Sequence, residues 1–145
     1  MLTPPLHVVT AVCAALQSRG AVVALGGSGL LAGLGLVDRV RDWDLTTDAD
    51  ADLVREALGE GQWPFRAAEV RDGGHRIGER FVIETDHEVE VWVGFAAVVD
   101  GRVVRFPTRV TGHWRGLPLG DPDVWARVYR AIGRPERAEL LKNRG

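Results

Sequence analysis

The sequence predicts a single α+β domain, a short mixed β-sheet flanked by helices. Three observations point there. Two runs with a two-residue apolar period (DWDLT at 42–46, EVEVWVG at 88–94) and a short strand-like apolar run (RFVIET at 80–85) lie between runs at helical spacing near the two ends. The later two strand candidates are joined by Asp86 and His87 alone, so they do not continue a series of βα units. A chain of 145 residues also suits one domain with a respectable core.

Each element has a local reason. Thr3 is placed to cap a first helix that opens on Pro4 and Pro5, with Leu6, Val9, Cys13 and Leu16 as its apolar stripe and Gly20 as its stop. AVVAL (21–25) suits a buried strand, and Ser28 to Leu36 reads as a glycine-weakened helix entered from Gly26-Gly27. DWDLT alternates as a half-buried strand does. Asp50 caps a helix whose inner face is Leu53, Val54, Ala57 and Leu58, and Gly59 ends it. From 60 to 78 the glycines, Pro64 and Asp72-Gly73-Gly74 predict short strands and a mobile loop. Asp100-Gly101 within VVDGRVVRF signals a hairpin. The tail is helical over about 121–142: Asp121 caps, Pro122 takes the first position, and Val124, Val128 and Ile132 face inward. Gly133 and Pro135 then open a last helix through Leu141.

Composition narrows the function. A net charge of −2 lacks the basic footprint of a nucleic-acid or anionic-membrane binder. Cys13, the single cysteine, has no intramolecular partner, which fits a reducing compartment; a cytoplasmic location is expected. No run approaches the ~18–20 apolar residues of a membrane span. His7, His75, His87 and His113 show no zinc spacing.

The chemistry concentrates in LGGSGLLAGLGLVDRVRDWDLTTDAD, where a glycine-rich loop runs closely ahead of clustered aspartates. A phosphate-binding P-loop is excluded, because no Gly-Lys-Ser/Thr follows. Gly27-x-Gly29-x-x-Ala32 with Asp48 about twenty residues on leaves a dinucleotide-binding module as one alternative. The reading that uses every part pairs Asp42 with Asp44. Two residues apart on a strand, they leave one face with Cα atoms ~6.5–7 Å apart, while Trp43 and Leu45 turn to the core. Adjacent carboxylates repel unless solvated or shared by a cation, and Mg²⁺ bridges such carboxylates to phosphates. Gly27 and Ser28 can offer N–H groups and a hydroxyl to that phosphate. Glu90, inside an apolar run, supplies a third carboxylate from a later strand, whereas Glu88 reads as a surface charge. The bland alternatives are a solvated strand face for the aspartates and an ion pair with Arg80 or Arg105 for Glu90. Gly29, Gly33 and Gly35 are expected to let the helix approach the sheet, Trp43, Trp92 and Trp125 to lie in the core, and Arg76 and Arg80 to stand near a bound triphosphate.

Gly27-Ser28, Asp42-Trp43-Asp44 and Glu90 within VEVWVG resemble the signature of the DNA polymerase beta-type nucleotidyltransferase superfamily, over roughly residues 21–94. LGGSGLL and the tail GLPLGDPDVWARVYRAIGRPERAELL resemble its small bacterial members related to aminoglycoside nucleotidyltransferases. The resemblance implies the nucleotidyltransferase fold and attack of an acceptor hydroxyl on the α-phosphate of ATP or another nucleoside triphosphate. It implies that Gly27 and Ser28 hold the triphosphate and that Asp42, Asp44 and Glu90 bind one or two Mg²⁺ ions, Glu90 beside the acceptor. A small molecule, a protein side chain or an RNA end would be the acceptor, the low charge counting against RNA. The rival within the same fold is an inert binding or antitoxin-type partner module.

Overall fold

Helix α1 (His7–Gln17) buries Val8, Val9, Val12, Cys13 and Leu16 on one stripe. Gly20, at φ +83°, stops it as expected: its N–H donates to Gln17 O, and the next N–H, of Ala21, reaches back to Leu16 O. The start differs from the expectation. Thr3 caps nothing, and the helix begins after Leu6, which makes no side-chain cap. The backbone of Leu2 is instead engaged with the segment before the second strand, exchanging hydrogen bonds with Asp38 O and Val40 N. The chain must therefore cross from there through Pro4 and Pro5 before it can coil.

The computed structural model describes the backbone of residues 1–72 and 76–144, and the side chains of all of these except 69–72, 76 and 77. Strand β1 (Val23–Gly26) runs into the short helix α2 (Gly27–Gly33), followed by β2 (Trp43–Thr47) and α3 (Ala51–Glu60). Then come β3 (Phe65–Asp72), β4 (Arg76–Glu84), β5 (Glu88–Val99), β6 (Arg102–Arg105), β7 (Gly112–Trp114) and β8 (Leu117–Leu119). Helices α4 (Pro122–Ala131) and α5 (Pro135–Lys142) close the chain. The sheet order is β3-β4-β5-β2-β1-β8-β7, with β6 added to β5. Among the described strands β2–β5 and β1–β8 run parallel and the other pairs antiparallel, so the sheet is mixed. Among the described residues no helix is long and apolar enough to cross a membrane.

Several local signals act as expected. Asp50 accepts from Asp52 N at 3.1 Å and Asp121 from Asp123 N at 2.9 Å, each satisfying a free N–H at the start of its helix. Asp100 and Gly101 both take positive φ, the conformation of a tight hairpin turn, between β5 and β6. Four points are corrected. Helix α3 runs past Gly59 to Glu60, because its burial of Val54, Ala57 and Leu58 outweighs one weak glycine. Residues 65–72 and 76–84 form two long strands rather than short ones, since β4 is sandwiched between β3 and β5 and each neighbour supplies hydrogen bonds; Gly73 and Gly74 of the expected turn lie outside the described residues. Asp42 lies at a bend just before β2 rather than within it. The β7–β8 hairpin gave no sequence signal, its strands being only three residues each.

The core lies between the sheet and its helices. Trp43, Leu45, Phe81 and Ile83 are completely buried, and the Trp43 indole N–H donates to Pro5 O at 2.9 Å. Cys13 sits in the same core, as do Trp92 and Trp125, the last two also lining the cleft described below. Helix α2 comes close to the sheet: a Cβ on Gly29 would meet Leu25 at 2.9 Å, and one on Gly33 would meet Leu119 at 2.9 Å. Gly35 departs from that pattern; it faces open space and serves a turn.

Candidate active site

The sheet register assembles the site. Gly26 on β1 stands opposite Asp44 on β2, and Asp44 stands beside Glu90 on β5. Three strands far apart in sequence thus contribute to one row across the sheet. That row opens into a cleft of about 380 Å³ lined by Gly27, Ser28, Asp42, Asp44 and Glu90. All five residues singled out from the sequence meet there.

The loop from β1 to α2 is tied to the carboxylates. Gly27 has φ +59°, and a Cβ there would sit 2.5 Å from Asp44 Oδ2, so the carboxylate packs against the bare Cα. The Ser28 hydroxyl is buried and accepts from the backbone N–H of Arg41 at 3.3 Å. This bond fixes the loop to the residue that precedes Asp42. It uses the backbone of Arg41, whose side chain also lines the cleft.

Asp44 is the most perturbed acid. Burial raises its pKa well above the carboxylate range, and the charge of Glu90 raises it further. A shared hydrogen bond with Glu90 and the charge of Asp42 act the same way, against a hydrogen bond from Trp92. Glu90 is also paired with Arg80, Nη1 to Oε1 at 3.2 Å. Glu90 thus has Arg80 as its ion-pair partner, the bland expectation for it, and it also lines the cleft beside Asp44. Arg105 is not that partner; it lines a different hollow, with Arg55 and Glu79.

Glu88, expected to be a plain surface charge, is half-buried. Burial raises its pKa, followed by the charges of Asp42 and Glu90. Its closeness to the acids was legible in the alternation of EVEVW, which puts Glu88 and Glu90 on one face. His87 stays in the β4–β5 turn, with Nδ1 2.6 Å from Asp86 Oδ1 and its ring edge-on to His7. The side chain of Arg76 lies outside the described residues.

The donors suit magnesium, which takes oxygen ligands, needs only one or two carboxylates and fills the remaining positions with water and phosphate. No group of three or more His, Cys, Asp or Glu among the described residues is gathered tightly enough to hold a metal by itself.

The far wall of the cleft comes from the C-terminal helices and was not read from the sequence. Tyr129 on α4, Arg134 in the turn and Arg137 on α5 face the carboxylates. Helix α4 is seated by Trp125, whose ring fills the space that a side chain on Gly26 would take. The signal that could have placed this wall was Trp125 itself, four residues before Tyr129 and hence on the same helical face.

No protein-family model matches the sequence, and no curated protein matches it significantly. Solved structures do match in fold. A crystal structure from Thermotoga maritima, of a protein assigned as a nucleotidyltransferase, superposes with a TM-score of 0.67 at 19% identity, covering 94% of this chain and 89% of that one. The solution structure of the antibiotic-resistance factor ANT(2'')-Ia gives 0.61 at 17% identity, covering 94% and 81%. The crystal structure of ANT(2'')-Ia in complex with adenylyl-2''-tobramycin gives 0.62 at 16%, covering 94% and 86%. The chain has the nucleotidyltransferase fold. The antiparallel pairing of β1 with β2 also removes the βαβ crossover on which a dinucleotide fingerprint depends.

Proposed function

We propose that the cleft transfers a nucleoside monophosphate from a magnesium-bound nucleoside triphosphate to an acceptor hydroxyl. The observation that carries this is the meeting of the Gly27-Ser28 loop with Asp42, Asp44 and Glu90 in one cleft. The fold shared with ANT(2'')-Ia, whose structure holds an adenylylated product, supports the same class of reaction.

Each residue has a defined task. The backbone N–H groups of Gly27 and Ser28 take phosphate oxygens, with the loop held in place by the Ser28–Arg41 bond. Asp42 and Asp44 would hold Mg²⁺ against the triphosphate. The ion, when bound, neutralises phosphate charge and aligns the α-phosphate for in-line attack. Glu90, once released from Arg80, takes the proton of the acceptor hydroxyl at its carboxylate. The acceptor oxygen forms its bond to the α-phosphorus as the bond from that phosphorus to the bridging oxygen breaks. The electron pair leaves on pyrophosphate. The protein contributes mainly position and fixed charge.

A second proposal, nucleotide binding without transfer, draws on the Arg80–Glu90 ion pair, which occupies the carboxylate that would receive the proton. One experiment separates the two. Protein is incubated with triphosphates labelled at the α-phosphate, Mg²⁺ and a panel of hydroxyl acceptors, with Asp44→Asn alongside. Labelled product and an equal amount of pyrophosphate are expected from the wild type alone. Label incorporation that survives Asp44→Asn would remove the mechanism.

A further inference from the structure

The cleft has a second polarity. Four guanidiniums, those of Arg41, Arg80, Arg134 and Arg137, line the cleft together with its three carboxylates. Arg80 is committed to Glu90. Arg134 and Arg137 are not committed to any acid of the cleft. Arg134 uses only Nε, on the exposed Glu136 at 2.7 Å, and Arg137 leans over the Tyr129 ring with Nη1 3.4 Å from the phenol oxygen. Their remaining N–H donors have no partner among the described residues.

Their placement is built. Trp125 locks α4 against the ends of β1 and β8, where side chains on Gly26 or Gly120 would collide with it. Helix α4 ends in a tight turn: Gly133 has φ +79°, and the N–H of Arg134 donates to Tyr129 O at 2.7 Å. Pro135 starts α5 at once, and Ala138 and Leu141 anchor that helix in the core. Tyr129 feels the charges of both Asp44 and these arginines, so it lies between the acidic and basic walls.

We propose that Arg134 and Arg137 bind the β- and γ-phosphates of the nucleoside triphosphate and hold the pyrophosphate that leaves. Planar guanidiniums pair with phosphate oxygens through two parallel hydrogen bonds, and their charge is placed where the electron pair of the breaking bond arrives. The carboxylate wall would repel those phosphates, so the polarity fixes the direction in which the nucleotide lies. Its α-phosphate faces Asp44, and its terminal phosphates point to the α4–α5 turn. The proposal rests on the nucleotidyl-transfer function above, because it needs a triphosphate in this cleft.

The test is calorimetric titration, with Mg²⁺ present, of ATP, inorganic pyrophosphate and AMP. It is run on wild type, Arg134→Gln, Arg137→Gln, the double variant, and Arg127→Gln on the outer face of α4. Each cleft variant is expected to weaken ATP and pyrophosphate by about tenfold or more, as for loss of a charge-assisted bond, with AMP and the Arg127→Gln protein changed less than about twofold. Arg137→Lys should restore part of the loss. Equal weakening of AMP and ATP would mark a structural effect and overturn the proposal. Wild type and both single variants binding ATP alike would overturn it while leaving nucleotidyl transfer standing. Failure of the wild type to bind ATP or pyrophosphate would overturn both. Arg134→Gln alone suffices should changes at Arg137 unfold the protein, since among the described residues its side chain is hydrogen-bonded only to an exposed glutamate.

Discussion

Gly27→Ala is a sharp probe of the site, because two consequences can be separated. The first is backbone strain. At φ +59° an L-residue costs about 1–2 kcal/mol, partly offset by the reduced freedom of the unfolded chain, for a net loss of about 1 kcal/mol. The second is contact. The new methyl would lie 2.5 Å from Asp44 Oδ2, against an ordinary 3.4–4 Å, so the carboxylate must retreat by about 1 Å. A displacement of that size in a positioning group costs about 10²-fold in rate. Gly20→Ala supplies the control: φ is +83° there too, but nothing lies within 4 Å of the new atom. Urea denaturation of the two variants should show similar small losses, and α-phosphate transfer should fall only in Gly27→Ala. Equal activity of both variants and the wild type would refute the reasoning that Gly27 is bare to make room for Asp44.

Three further outcomes follow from the same geometry. Asp44→Asn replaces a buried carboxyl crowded by Glu90 with a neutral amide that cannot hold a cation. Transfer should fall by about 10²-fold or more in the α-phosphate assay while the urea midpoint of the metal-free protein does not drop. Trp125→Ala empties the contact that seats α4 on β1 and should cost about 3–5 kcal/mol, read as a lowered denaturation midpoint. Burial pushes the Cys13 thiol up from an ordinary 9.0 to about 11. The folded state thus keeps a proton that the unfolded chain loses, and stability is full below pH 9 and falls by about 2 kcal/mol as pH rises to about 11. Comparing wild type with Cys13→Ala across that window should show the difference, and a parallel pair of curves would count against it.

The sequence carried the inner half of the site and missed the outer half. Asp44, Glu90 and Gly27 were legible because a strand's two-residue period places side chains on a face without any knowledge of its partners. The pairing of Asp44 with Glu90 was not legible, since register between parallel strands depends on contacts across the intervening α3, β3 and β4. Asp42 was assigned to the strand, but pairing with β5 begins at Trp43 and leaves it at a bend. The helix caps at Asp50 and Asp121 and the turn at Asp100-Gly101 were readable because each needs only its own few residues. The start of α1 was not, because the backbone of Leu2 is claimed by Asp38 and Val40 across the fold. Arg134 and Arg137, in the tail, belong to no motif or periodic pattern in the sequence. Only the docking of Trp125 turns that tail toward the carboxylates.

The central claim is that these carboxylates hold a divalent cation together with a nucleoside triphosphate. Electron paramagnetic resonance of Mn²⁺, used in place of Mg²⁺ and titrated with and without ATP, tests it most directly. The account predicts weak binding of Mn²⁺ to the protein alone, tight binding of the Mn²⁺–ATP complex, and loss of the bound signal in Asp44→Asn. Retention of Mn²⁺–ATP by Asp44→Asn at wild-type affinity, or no added binding with ATP, would contradict it.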